Sequence, residues 1–238
     1  TADDGCSSPT TIVALAAGGG HSLVLKEDGT VWAWGNNLFG QLGDGTTTNR
    51  SAPVRVVGLS GVISVAAGYE HSLALTDDGT VWAWGKNWFG QLGVGTSLPY
   101  RSMAEPVVGI PAMKALSGGG EHTLALAEDG TVWAWGKNWF GQLGVDTSLP
   151  YRAMPEQVTG IPAMKTLSAG GEHSLALAEN GTVWAWGKNW FGQLGTIGTY
   201  PPYRTLPEQV PWIFGVQALD AGEEHSLLLG ANDSLWEW

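Results

Sequence analysis

Residues 66–93 read AAGYEHSLALTDDGTVWAWGKNWFGQLG, and the same pattern returns along the rest of the chain. Its histidine stands at His21, His71, His122, His173 and His225, spaced by 50, 51, 51 and 52 residues. A second landmark keeps step, as VWAW at 31–34, 81–84, 132–135 and 183–186 and as LWEW at 235–238. A fixed period of this length marks an array of like supersecondary units, each burying its apolar face against the next. Within a unit, short alternating runs such as HSLALT and TVWAWG flank Asp28-Gly29, Asp78-Gly79, Asp129-Gly130 or Asn180-Gly181. Those dipeptides tolerate positive φ and predict a tight hairpin, with Asn232-Asp233 in the same place in the last unit. An apolar stretch ending in glycine, such as VISVAAG, predicts an inner strand upstream. Pro53-Val54, Pro106-Val107, Gln157-Val158 and Gln209-Val210 suit an outer edge strand downstream.

Four strands per unit of about fifty residues, with little room for a helix, predict an all-β chain folded as a β-propeller of four-stranded antiparallel blades. Counting inner strands predicts about five blades in one domain over 11–238, with repeats at about 11–61, 62–112, 113–163 and 164–215 and a partial one at 216–238. The last blade is expected to be incomplete, because the chain reaches Trp238 before a GQLG loop or a fourth strand. Residues 1–10, TADDGCSSPT, form an N-terminal tail that could supply a closing strand, although their composition makes a poor one. The alternative is an open or truncated array completed by a second chain, so that both a monomer and a dimer through the incomplete last blade stay open.

Composition narrows the function. The 238 residues include 36 Gly and 14 Trp, and 11 Lys+Arg stand against 22 Asp+Glu for a formal net charge of −11. Glycine without a Gly-X-Y period excludes collagen, and the apolar and aromatic content excludes disorder. With no basic run, the footprint of a nucleic-acid or anionic-membrane binder is missing, and no apolar run approaches the length that spans a bilayer. The sequence therefore predicts no nucleic-acid partner, no membrane span and no targeting segment. Its acidity and Trp content are compatible with a secreted or periplasmic protein. Cys6 stands alone, outside any disulfide or metal spacing, and the glycine-rich segments precede strands rather than helices, so no metal and no cofactor are expected.

The repeat resembles that of the regulator of chromosome condensation family, whose unit looks like A-G-x-x-H-S-L-A-L-T-x-x-G-x-V-W-A-W-G-x-N-x-x-G-Q-L-G. The resemblance covers residues 12–238, with glycines, histidine and GQLG in register in four copies. It implies the propeller fold; members typically have seven blades, about two more than this chain spells out. The founding member is a guanine-nucleotide exchange factor that also docks on chromatin, but the basic tail is absent here and the loops are nearly alike from unit to unit. A plant UV-B photoreceptor of the family uses a Gly-Trp-Arg-His-Thr motif. The corresponding positions here read Gly-Tyr-Glu-His, Gly-Gly-Glu-His or Gly-Glu-Glu-His.

Three sets of residues are candidate sites. The first is the ring of His21, His71, His122, His173 and His225 with Glu70, Glu121, Glu172 and Glu224, which the repeat would bring around a common axis as a channel site. The competing reading, and the stronger one, is that each histidine hydrogen-bonds a backbone group at a blade junction. The second is Trp88-Phe89, Trp139-Phe140 and Trp190-Phe191, with Leu38-Phe39 in the first unit. Phenylalanine, in all four copies, is expected to pack between blades, whereas Trp88, Trp139 and Trp190 would offer an amphipathic face to sugar rings or partner side chains. The third is Tyr100-Arg101, Tyr151-Arg152 and Tyr203-Arg204, which could stack on and hydrogen-bond a polar ligand. Against this, the arginines could simply pair with Glu105, Glu156 and Glu208. The VWAW tryptophans are expected to pack between blades.

No Ser/His/Asp or Cys/His set is visible, so no catalytic residue is named. Near-identical loops suit a multivalent surface rather than one asymmetric catalytic constellation. The sequence thus points to a noncatalytic binding protein for carbohydrate or a repetitive polymer, through the Trp-Phe and Tyr-Arg loops. A protein-interaction scaffold is the alternative, and an exchange factor or enzyme the third reading.

Overall fold

A computed structural model describes residues 11–196 and 202–238, and every regular element among them is a β-strand. They form five antiparallel sheets in chain order. Blade 1 is β1 (Ile12–Ala17), β2 (His21–Lys26), β3 (Val31–Gly35) and β4 (Arg50–Arg55). Blade 2 is β5 (Val62–Ala67), β6 (His71–Thr76), β7 (Val81–Lys86) and β8 (Tyr100–Pro106). Blade 3 is β9 (Met113–Gly118), β10 (His122–Ala127), β11 (Val132–Lys137) and β12 (Tyr151–Val158). Blade 4 is β13 (Met164–Ala169), β14 (His173–Ala178), β15 (Val183–Lys188) and β16 (Tyr203–Gln209). Blade 5 stops at three strands, β17 (Val216–Ala221), β18 (Ser226–Gly230) and β19 (Leu235–Glu237). The all-β blades and the incomplete last one agree with the reading of the repeat. Residues 1–10, the N-terminal tail that could supply a closing strand, lie outside the described residues.

The hairpins form where the dipeptides placed them. Gly79 sits at φ 80°, donating its amide to Thr76 O, while Thr76 N bonds Thr80 O. In blade 5 the non-glycine Asp233 takes the same turn conformation at φ 59°.

Each blade buries one face against the next. Leu23, Leu25, Val31, Leu42 and Val56 of blade 1 pack on Val62, Val65, Ala74 and Trp84 of blade 2, and three further clusters repeat the arrangement up to blade 5. In blades 2 to 4 the second tryptophan of the VWAW strand is the centrepiece of such a joint. Trp84, Trp135 and Trp186 are fully buried, and each donates its indole N–H, at 2.8–2.9 Å, to the carbonyl of the GQLG glutamine of the preceding blade. A buried indole needs that acceptor, and the loop supplies it. Two side chains hold the loop in shape, since Asn87 Oδ1 accepts from Leu92 N and Gln91 Oε1 accepts from Phe89 N. Gly90, at φ 76°, lies so close to the next blade that an added Cβ would collide with the backbone of Ala153.

Blades 1 and 5 do not pack on each other as the internal neighbours do. Leu15 of β1 is 73% exposed, whereas its counterparts Val65 and Leu167, covered by a preceding blade, are 9% and 8% exposed. The described residues therefore form an open array.

Candidate functional site

The histidines lie within the joints. His21, His71, His122 and His173 are buried, and their Nε2 atoms lie 2.8–3.0 Å from the hydroxyls of Ser72, Thr123, Ser174 and Ser226 of the following blade. Each hydroxyl in turn donates to the carbonyl of Gln41, Gln91, Gln142 or Gln193. A carbonyl can only accept, so the hydroxyl proton is committed to it and the imidazole must donate from Nε2. That fixes the tautomer and leaves Nδ1 as a bare acceptor, buried and without a hydrogen-bond partner. Burial pushes the pKa of His71 and His122 down to about 3 and of His21 and His173 to about 4. These four are neutral links between blades. The blade-junction position is the stronger of the two sequence readings, although the partner is a side-chain hydroxyl rather than a backbone group, and these four imidazoles do not form a channel ring. His225 is exposed, and among the described residues no further blade follows it.

The glutamates of the same motif form a belt that crosses the joints. Lys86 Nζ lies 2.7 Å from Glu70 and 2.8 Å from Glu121. Lys137 bridges Glu121 and Glu172 at 3.2 and 2.8 Å, and Lys188 bridges Glu172 and Glu224 at 3.2 and 3.1 Å. Partial burial pulls the Lys86 and Lys188 pKa down, but the paired carboxylates outweigh it and the net shift is upward. These lysines were not singled out from the sequence. A signal for them existed: Glu and Lys recur sixteen residues apart at Glu70/Lys86, Glu121/Lys137 and Glu172/Lys188, and the first repeat loses both together as Gly20 and Asn36.

Above the belt stand the loop tryptophans. Trp88, Trp139 and Trp190 are 57, 57 and 56% exposed. Each meets the phenylalanine of the preceding blade edge to face: Phe39–Trp88 at 5.4 Å, Phe89–Trp139 at 5.5 Å and Phe140–Trp190 at 5.4 Å. Each also has a lysine ammonium over its ring, at 4.4, 4.2 and 4.7 Å. One side of each indole is thus pinned by a cation and a ring edge, and the rest faces solvent in the same pose on three blades.

The Tyr-Arg pairs divide. Arg101, Arg152 and Arg204 form ion pairs with Glu105, Glu156 and Glu208 four residues on in the same strand. Arg101 and Arg152 also reach Thr96 and Thr147. Tyr151 does more: with Trp88 of the preceding blade it lines a groove of about 450 Å³ together with Asn87, Thr96, Ser97 and Pro99. That pairing across blades could not be read from either loop alone. Trp212 is a separate feature. It takes the place in the repeat of Gly109 and Gly160, at φ 65° against their 82° and 79°, and is 87% exposed. A bulky residue held in the left-handed region and left in solvent is strained without any packing return.

Four-stranded blades stacked face to face through a repeated motif define a propeller-type repeat protein. The comparisons give the particular family: residues 3–238 match the RCC1-like domain, and the chain belongs to that family. It is 44% identical over 232 residues to the human protein named probable E3 ubiquitin-protein ligase HERC3, covering 94% of this chain and 22% of that protein. It is 36% identical over 192 residues to the ultraviolet-B receptor UVR8 of Arabidopsis thaliana, covering 77% of this chain and 43% of that receptor. Among solved structures, Prp20p of Saccharomyces cerevisiae superposes with a TM-score of 0.84 at 27% identity, over 95% of this chain and 58% of that one. Human WBSCR16 does so with 0.86 at 27% identity, over 96% and 62%. This chain therefore spans less than half the length of these two curated relatives.

Proposed function

We propose that the protein is a noncatalytic, multivalent binding domain whose row of loop tryptophans engages a protein partner. The observation that carries the reading is the identical display of Trp88, Trp139 and Trp190, each more than half exposed and each held in place from below. Large exposed aromatics cost solubility and are typical anchors of recognition surfaces. Three copies in one pose suit a partner that offers the same feature more than once. A protein partner is favoured by the family: the Prp20p structure is described with binding to Gsp1p and histones, and another holds Prp20 bound to Kap60. The acidic balance of the chain argues for a partner other than nucleic acid.

A second reading, carbohydrate, is supported by the groove that sets Trp88 and Tyr151 beside Asn87, Thr96 and Ser97, since aromatic faces with nearby amide and hydroxyl groups suit a sugar. The triple variant Trp88→Ala/Trp139→Ala/Trp190→Ala, compared with the unmodified protein by affinity capture and on a glycan array, tests both. A protein retained by the unmodified chain and lost by the variant is the expected result. Glycan binding lost by the variant would instead support the sugar reading, and binding untouched by the triple change would overturn both.

A further inference from the structure

The hairpin between the second and third strands turns on Asp-Gly in blades 1 to 3, at Asp28, Asp78 and Asp129, but on Asn180-Gly181 in blade 4. Asn180 Oδ1 takes the place of the aspartate oxygen. It accepts from Thr182 N at 3.1 Å and from the Thr182 hydroxyl at 2.7 Å, as Asp129 Oδ1 accepts from Thr131. The Thr182 hydroxyl is itself oriented, because it accepts the Trp184 indole N–H at 3.1 Å and keeps its own proton for Asn180.

An asparagine followed by glycine sets an electrophilic side-chain carbonyl beside the next backbone nitrogen. When Gly181 N attacks Asn180 Cγ, negative charge develops on Oδ1, where both Thr182 donors already stand. Donors placed in advance at a developing oxyanion lower the barrier. The surroundings leave room for a ring to close: a Cβ built on Gly181 has no neighbour within 4 Å, whereas Gly79 and Gly130 lie against Ala112 and Ala163 of the next blade. The Gly181 amide donates to Ala178 O at 2.9 Å, so attack follows the opening of that one bond at an exposed hairpin tip. In blades 1 to 3 a carboxylate is a poorer electrophile and has no ammonia to expel. Asn232 of blade 5 is held alike by Ser234, but the side chain of Asp233 stands beside the nitrogen that would attack.

We propose that Asn180-Gly181 is a self-modification site, at which the folded hairpin promotes its own deamidation. Gly181 N bonds to Asn180 Cγ and gives its proton to solvent. The Cγ–Nδ2 bond breaks as Nδ2 takes up a proton and departs as ammonia, leaving a cyclic succinimide. Water then adds at either ring carbonyl and opens it to aspartate or isoaspartate, with no change of oxidation state. Aspartate restores the pair used in blades 1 to 3, and isoaspartate lengthens the backbone between β14 and β15 by one methylene. The site is independent of the tryptophan row.

The test incubates the full chain at mildly alkaline pH, folded and, in parallel, unfolded in guanidinium chloride. Mass spectrometry of the tryptic peptide 166–188 follows the amide-to-acid mass gain and separates the two acid forms. In the folded protein Asn180 is expected to convert ahead of Asn232, and Thr182→Val to slow it roughly fivefold. Once unfolded, the two chains should react alike. Trp184→Phe keeps the Thr182 hydroxyl and removes only the donor behind it, so it should slow the folded reaction by a smaller factor even if Thr182→Val loosens the hairpin. A folded protein that keeps Asn180 intact while the unfolded chain converts would overturn the proposal. So would folded variants that react as fast as the unmodified chain, or a Thr182→Val effect that persists in guanidinium.

Discussion

Mild acid should loosen the joints before it affects the exposed carboxylates. The perturbation is a fall in pH from 7.5 to 5.5, and the groups that respond are His21, His71, His122 and His173. Their folded pKa values lie at about 3 to 4, against an ordinary value of 6.5, because burial disfavours the imidazolium. The folded value is the lower one, so between those limits the unfolded chain binds more protons. The contribution is complete above about pH 6.5 and is lost as the pH falls towards the folded value. One unit below 6.5, each group has given up about 1.4 kcal/mol. Four together reach about 5.5 kcal/mol, comparable with the lower end of the whole stability of a domain. Protonation would add a cation at Nδ1, where no acceptor waits. Urea titrations at the two pH values and constant ionic strength measure the loss. The double variant His71→Gln/His122→Gln should be weaker at pH 7.5 yet lose only about half as much on acidification. Equal stability of the unmodified protein at pH 7.5 and 5.5 would refute the assignment of these imidazoles as buried neutral links.

The same joints make further measurable demands. Trp135→Ala removes a fully buried indole while the Gln91 carbonyl keeps its bond from the Thr123 hydroxyl, and the cavity should cost about 3–5 kcal/mol in chemical denaturation. Gly90→Ala should cost about 2 kcal/mol, because its new methyl must push the backbone of Ala153 away. Trp212→Gly should instead raise stability by roughly 0.5 kcal/mol by relieving the left-handed strain, seen as a small rise in Tm. Lys137→Met breaks two ion pairs of the belt at once and should leave the Glu121 and Glu172 carboxylates repelling each other more, so that added salt recovers part of the lost Tm.

The fold was legible because its instructions are written several times over. Hairpin dipeptides, alternating runs and glycine punctuation are local signals, and their recurrence every fifty residues leaves few architectures. The joint chemistry was less legible because its partners sit one repeat apart: His71 meets Thr123, and Trp84 meets Gln41. In a sequence where every unit carries His, Ser or Thr, Trp and Gln, nothing local says which copy faces which. The belt was hidden for the same reason, although the joint loss of glutamate and lysine in the first repeat was a usable clue. The exposure of Trp88 but not of Trp84 depends on which tryptophan the loop lifts off the sheet. The groove between Trp88 and Tyr151 exists only once two blades are stacked.

The most direct test of the account is a graded series in which Trp88, Trp139 and Trp190 are replaced by Ala singly, in pairs and together, with partner affinity and Tm measured on each. A multivalent surface built on an independent scaffold predicts affinity that falls stepwise with each indole removed while Tm stays nearly constant. Affinity indifferent to all three, or a Tm that collapses in step with it, would contradict the separation of binding row from blade core.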